Sequence, residues 1–293
     1  MEPQGGKIME SLGFKGTLDD VKRVWSGYAQ GWSDRWSPWR PSFGDIDIYQ
    51  MLAGKKLNGR VLLLGATPEL RDLIAQNGGK TTLIDICPEM VGAATKFLNY
   101  SNPKNETWIM ADWCEMPFSS DYFDLVIGDF MWWLLSLPRQ EMLRDQITRI
   151  LKPGGNFVSR IHFCDLARAG QSIEEIIKND LPRLRHDNSN RSQIREMIIA
   201  KIVDATADFH AKRLNVKTAI PVFEKIISEI NDEFLRGFVE ELFLRCKNRT
   251  DWTAQTKEEI FACLQEKLIL ADEKFASDYE NACFFPIIKF RKS

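Results

Sequence analysis

The stretch Arg60-Val-Leu-Leu-Leu-Gly65-Ala-Thr-Pro-Glu69 is followed by Thr82-Leu-Ile-Asp85 and then by Trp108-Ile-Met-Ala-Asp112. Each is a short apolar run ending in a small or acidic residue. Val61 to Leu64 is apolar without alternation, the pattern of a strand covered on both faces of a parallel sheet. Gly65 ends that run, and Glu69 to Gln76 can form a helix carrying its acid in the first turn. Asp85 closes the second run, 20 residues after Gly65 (85 − 65). A tight turn after one strand, with a carboxylate after the next to meet ribose hydroxyls, is the βαβ plan of a nucleotide-binding sheet.

The pattern continues down the chain. Pro88 to Asn99 reads as a helix with Met90, Val91, Ala94 and Leu98 on one face. Glu106 to Met110 reads as a third strand and Leu125 to Gly128 as a fourth. Leu137 to Leu151 is a helix with Pro138 in its first turn. Lys152-Pro-Gly-Gly155 then turns into a fifth strand, Phe157 to Phe163. Together with Leu151-Lys-Pro-Gly-Gly155, the spacing of Gly65 and Asp85 resembles the class I S-adenosylmethionine-dependent methyltransferases. The resemblance spans roughly residues 58 to 165, with a weaker echo at the C-terminus.

That resemblance implies a doubly wound, mostly parallel, seven-stranded Rossmann-like α/β sheet and S-adenosyl-L-methionine as cofactor. It puts Gly65, Thr67 and Glu69 at the methionine part, Asp85 with Ile86 at the ribose, and Asp112 with Trp113 near the adenine. The loop departs from the family pattern, since Thr67 and Glu69 stand where glycines are usual and Leu63 replaces an acid. Pro68 also removes a backbone N–H. An acid at Glu69 suits a cofactor bearing an ammonium and a sulfonium and would repel a pyrophosphate, which argues against NAD or FAD.

The chain has 293 residues, 44% hydrophobic and 27% charged, as expected of a globular α/β protein. Its 39 Lys and Arg against 41 Asp and Glu give a net charge of −2, with no basic surplus for nucleic acid. The six cysteines form no CxxC pair and no Cys/His cluster, which argues against a zinc site and for a reducing compartment. The N-terminus has no basic and apolar leader, and no run is long enough to span a bilayer, so a cytoplasmic protein with no membrane or nucleic-acid partner is expected.

Ahead of the sheet, residues 1–58 carry four of the nine tryptophans between Trp25 and Trp39. Thr17 to Tyr28 has helical spacing, and Gly31 to Pro41 is loop. Either the aromatics only pack this segment onto the sheet or they form a lid. As a lid, Tyr28, Trp32, Trp36 and Trp39 would meet the adenosyl group or a planar or cationic acceptor. Arg40 would meet a carboxylate.

Candidate acceptor residues lie at the C-terminal ends of strands four and five, the edge where open α/β sheets bind ligands. Asp129 either orients an acceptor and touches the cofactor or serves as a helix cap or a salt-bridge partner. Trp132 would wall the pocket, with one of Trp132 and Trp133 in the core. His162 at the end of strand five would be a general base or a structural histidine. Arg160 shares its face of the strand.

Residues 166–250 read as a helical insertion between strands five and six. Ser172 opens its first helix, Ile194 to Ile202 marks a second, and Phe223 to Leu242 a third, longer one. The insertion either roofs the acceptor site or joins two chains as a homodimer. Residues 251–293 supply a last helix from Thr256 and two closing strands, Lys267 to Leu270 and Cys283 to Phe290. Residues 59–165 are thus the cofactor-binding core. The expected function is methyl transfer to a small molecule. The alternatives are a non-catalytic binding or scaffold protein of the same fold and, last, an NAD-linked oxidoreductase.

Overall fold

The computed structural model describes residues 31–186, 190–247 and 252–293. The tyrosine at 28 and the helix expected from Thr17 lie outside them. At the centre is the strand that the unbroken apolar run foretold, β1 (Arg60–Leu64). Val61 and Leu63 pack into one core cluster and Leu62 and Leu64 into another, so successive side chains fill the two faces of the sheet.

On one side β1 pairs in parallel with β2 (Lys80–Asp85), which pairs in parallel with β3 (Thr107–Met110). On the other it pairs with β4 (Phe123–Asp129), and β4 with β5 (Leu151–Arg160), again in parallel. The strand order therefore reverses between β1 and β4, the switch point where a ligand crevice opens in such sheets. A short hairpin, β6 (Ala207–Asp208) with β7 (Arg213–Leu214), is separate. The large sheet closes with β8 (Ile269–Lys274) and β9 (Ile287–Arg291), the latter antiparallel to both β5 and β8. Among the described residues its order is β3-β2-β1-β4-β5-β9-β8.

Helices follow from caps and patterns. α1 (Phe43–Ala53) starts at a capping box in which Ser42 and Asp45 satisfy each other's backbone N–H. α2 (Pro68–Gln76), α3 (Pro88–Ala94) and α4 (Leu137–Ile150) each have proline in the first turn. The helix expected to reach Asn99 ends sooner, with a single 3₁₀ turn at Thr95–Phe97.

Between β5 and β8 lie α5 (Ile173–Asp180), α6 (Arg183–His186), α7 (Arg191–Ala205), α8 (Ile220–Glu229), α9 (Glu233–Lys247) and α10 (Lys257–Gln265). α7 is buried on nearly every side, Ile198 and Ile202 among its fully covered residues, and forms the axis of this helical layer. The layer joins the same core cluster as Val61 and Leu63.

Two expectations are corrected here. The long helix expected over Phe223 to Leu242 is two helices, because Asp232 accepts hydrogen bonds from the backbone N–H of Phe234 and Leu235 and starts a new one. Strand β5 ends at Arg160, so His162 lies two residues past it. No helix among the described residues is long and apolar enough to cross a membrane.

Candidate functional site

The C-terminal ends of the parallel strands bring most of the expected cofactor residues to one edge. Gly65 leaves β1 with φ +93°, a conformation open to glycine and strained for other residues. A methyl group there would stand 3.8 Å from the Trp113 ring. Trp113 is held by its indole N–H, which donates to the Ile84 carbonyl at 2.8 Å. Trp113 thus lies against both the first loop and the end of β2.

Glu69, in the first turn of α2, is the most informative residue of the loop. Its Oε1 accepts from the Trp32 indole at 3.1 Å and from Arg40 Nε at 2.5 Å. Its Oε2 is buried with no hydrogen-bond partner among the described residues. A buried carboxylate oxygen left empty is costly unless a donor arrives. Thr67, just before the helix, is also buried.

Asp85 ends β2 half-buried, and its Oδ1 accepts from the Cys87 backbone N–H at 2.7 Å. Burial pushes the carboxyl up to about 7, against the opposing hydrogen bonds from the backbone of Cys87 and Ile86. Ile86 is itself half-buried. Asp112, past β3, accepts from the Cys114 N–H at 2.8 Å and from Arg139 Nη2 at 2.5 Å. Arg139 was not singled out in the sequence. Its place in the first turn of a proline-started helix was the available signal.

Asp129 and Arg160 are direct cross-strand partners in the β4–β5 register. Arg160 grips Asp129 with both prongs, Nε to Oδ1 at 2.9 Å and Nη2 to Oδ2 at 3.0 Å. Its third nitrogen, Nη1, donates to Asp45 at 2.7 Å. The Tyr49 hydroxyl lies 3.0 Å from Asp129 Oδ1 and 2.8 Å from the Gly128 carbonyl, and it accepts from the Arg160 backbone N–H at 2.7 Å. Asp45, Tyr49, Asp129 and Arg160 form a closed, buried network tying α1 to the sheet. In this structure Asp129 and Arg160 face each other rather than an acceptor.

His162 is buried too. Its ring stacks between Phe130 and Phe285, at centroid distances of 6.0 and 5.0 Å, and meets the edge of Trp133 at 5.1 Å. Its Nε2 lies 2.9 Å from Asp204 Oδ1.

The tryptophans divide. Trp32 is buried against Glu69, whereas Trp36 is about half exposed. Trp39 stacks on Trp133 at 5.5 Å, and Trp133 lies 4.1 Å from Trp252. Trp132 is buried in the core on the other face of the sheet, beneath α4. A 3₁₀ turn at Trp132–Leu134 sets successive side chains about 120° apart, so Trp132 enters one core cluster and Trp133 the other, where it joins the aromatic cluster.

Residues 64–159 match the family described as a methyltransferase domain. This stretch of the chain is thus a methyltransferase domain. The chain shares its fold with a Rhodobacter sphaeroides protein described as a Zn-dependent alcohol dehydrogenase, at TM-score 0.56 and 15% identity over 94% of this chain and 98% of that one. It is also similar to the Burkholderia thailandensis 1,6-didemethyltoxoflavin-N1-methyltransferase, at TM-score 0.52 and 11% identity over 95% of this chain and 91% of that one. That structure holds 1,6-didemethyltoxoflavin and S-adenosylhomocysteine. At these identities the two likenesses show a fold. No curated protein matches the sequence.

Proposed function

We propose that this methyltransferase acts on a small-molecule acceptor held beneath the strap of residues 31–42, with S-adenosylmethionine bound along the ends of β1, β2 and β3. The observation that carries this reading is Glu69. One of its oxygens ties down the strap through Trp32 and Arg40, and the other is buried and empty beside the first loop. An empty, buried carboxylate oxygen suits an ammonium, the group at the methionine end of this cofactor. A pyrophosphate would be repelled there, which disfavours a dinucleotide. The strap is fastened beside the first loop, at the start of α2, which favours a compact acceptor over a macromolecular one.

S-adenosylmethionine supplies the methyl from a sulfonium: the acceptor atom bonds the methyl carbon as the carbon–sulfur bond breaks, and S-adenosylhomocysteine leaves. The protein's share is placement, because in-line displacement gains mostly from holding the two atoms in near-attack geometry. Asp85 accepts from the ribose hydroxyls, and Asp112 and Trp113 flank the adenine. Arg139 holds Asp112 in position. Asp129 acts as a positioning residue, fixing the floor of the site through Arg160 and Tyr49, and His162 supports the aromatic wall of Phe130 and Trp133. The methyl acceptor of the Burkholderia relative, a small molecule methylated on nitrogen, accords with this size class.

The test is twofold. Calorimetric titration with S-adenosylhomocysteine and with NAD should show micromolar binding of the first and none of the second. A metabolite extract incubated with methyl-labelled S-adenosylmethionine should then yield a labelled product of low mass. Binding without any labelled product would favour the non-catalytic scaffold reading, and label found only in macromolecules would overturn the small-acceptor reading.

A further inference from the structure

Past the end of β5 the chain stays extended. Ile161 and Phe163 turn into the core beneath α4, while Cys164 turns into the core of the helical layer. His162 and Cys164, two residues apart on an extended segment, therefore share a side. The backbone here is fixed by neighbours on both sequence-distant flanks. Ile161 donates to Pro286, Phe163 to Phe284, and Cys164 to the Gln255 carbonyl at 3.1 Å. Across from them stands Asp204, one residue before the end of α7. The donor atoms of His162, Cys164 and Asp204 all lie within 4.8 Å of one another, and all three residues are buried.

Ordinary hydrogen bonding leaves this cluster unsatisfied. Among the described residues, both ring nitrogens of His162 and both carboxylate oxygens of Asp204 are buried without a hydrogen-bond partner, although Nε2 and Oδ1 are only 2.9 Å apart. The two atoms are close but misaligned for an N–H···O bond. A ring nitrogen and a carboxylate oxygen converging without bonding each other, both able to ligate a metal, is the arrangement expected around a third atom. A thiolate, an imidazole and a carboxylate are a zinc ligand set, with bonds of about 2.0–2.3 Å. Nearby Gln255, whose backbone holds Cys164, also has its side-chain oxygen buried and unpartnered. The nearest opposing charge is Arg168, whose Nη1 is 3.8 Å from the other oxygen of Asp204. Its Nε and Nη2 are engaged by Asp165 and Asn281.

We propose that His162, Cys164 and Asp204 bind one divalent transition-metal ion, Zn²⁺, with Gln255 or a water in the fourth position. The ion pins the end of β5 to the last turn of α7, joining the sheet's ligand edge to the helical insertion. Its role is structural, because all three protein ligands are buried.

The test uses the full-length protein, stripped with a chelator and reloaded with Zn²⁺ or Co²⁺ alone. About one ion per chain should survive dialysis, and the Co²⁺ form should show a thiolate-to-cobalt absorption band in the near ultraviolet. Cys164→Ser should abolish that band, and Asp204→Asn should weaken Zn²⁺ binding by more than about tenfold while keeping it. Where Cys164→Ser does not fold, X-ray absorption on the loaded wild type decides instead. One sulfur with nitrogen and oxygen neighbours supports the site, and a sulfur-free or multi-sulfur shell overturns it. A stripped protein that still binds S-adenosylhomocysteine but takes up no Co²⁺ also overturns it, as does a band that survives in Cys164→Ser. Both readouts are independent of methyl transfer.

Discussion

At Asp85, burial and the proposed ribose-binding role pull against each other. A carboxylate is the better acceptor for two ribose hydroxyls, yet burial lifts this group to about 7. Cofactor affinity should therefore rise as pH climbs from about 6 to about 8, by up to roughly tenfold, as Asp85 ionises. Asp85→Asn should bind more weakly throughout and lose that pH dependence, which titration calorimetry at several pH values reads directly. The ligand-free protein should show the opposite trend. Since the folded pKa lies above the unfolded one, Asp85 contributes stability at low pH that is lost as pH rises through about 7. Arg160 makes a second case. It is fully buried between Asp45 and Asp129, so Arg160→Met strands two carboxylates in the core. A loss of about 3–5 kcal/mol in urea unfolding is expected. A variant of near wild-type stability would mean that this network does not hold the floor of the site. At this scale Gly65, Asp85 and Asp112 were legible because each follows a recognisable strand. A salt bridge at Asp129 was one reading of the sequence, but Arg160 as its partner was not legible, because that depends on β4–β5 register, which a single sequence does not display.

Among elements, the strap of residues 31–42 is the one on which the proposed site depends. It is fastened to α2 by Trp32 and Arg40 converging on one oxygen of Glu69. Partly exposed ion pairs are worth about 0–1 kcal/mol, so this fastening is weak enough to open for ligand exchange. Trp32→Phe keeps the ring and removes the donor. It should speed S-adenosylhomocysteine release about two- to fivefold in stopped-flow displacement, with little change in melting temperature. Glu69→Gln should weaken cofactor binding by about tenfold, because it removes the charge that an ammonium would meet. Unchanged affinity would remove the central support for the loop assignment. The strap's chemistry was readable in the tryptophan-rich stretch, but its attachment point was not. Conversely, Asp232 was a visible helix start inside what periodicity alone reads as one long helix. The apolar stripe continues across the break, so the period masked the cap. His162-Phe-Cys164 went unread for another reason: its third member, Asp204, lies forty residues on, and only the docking of α7 brings it near.

Across the whole molecule, three tryptophans from distant parts of the chain form one stack. Trp39 comes from the segment before α1, Trp133 from the turn after β4, and Trp252 from beyond α9. Each sits at a seam between the sheet, the segment before α1 and the helical layer. The core cluster around them runs without a break from Val61 in β1 to Phe223 in α8 and Leu242 in α9. A helical layer sharing a continuous core with the sheet should not unfold alone, since detaching it would expose Trp133, Phe130 and much of α7 to water. Heating should therefore give one transition, with tryptophan fluorescence and far-ultraviolet circular dichroism reporting the same midpoint. S-adenosylhomocysteine should raise both midpoints together, because binding at the sheet edge stabilises everything that unfolds with it. A fluorescence transition preceding the loss of helix, or one insensitive to ligand, would show the helical layer to be a separate cooperative unit. The strap and insertion would then move as a cover over the site, and acceptor entry, not cofactor binding, would be where their stability is felt.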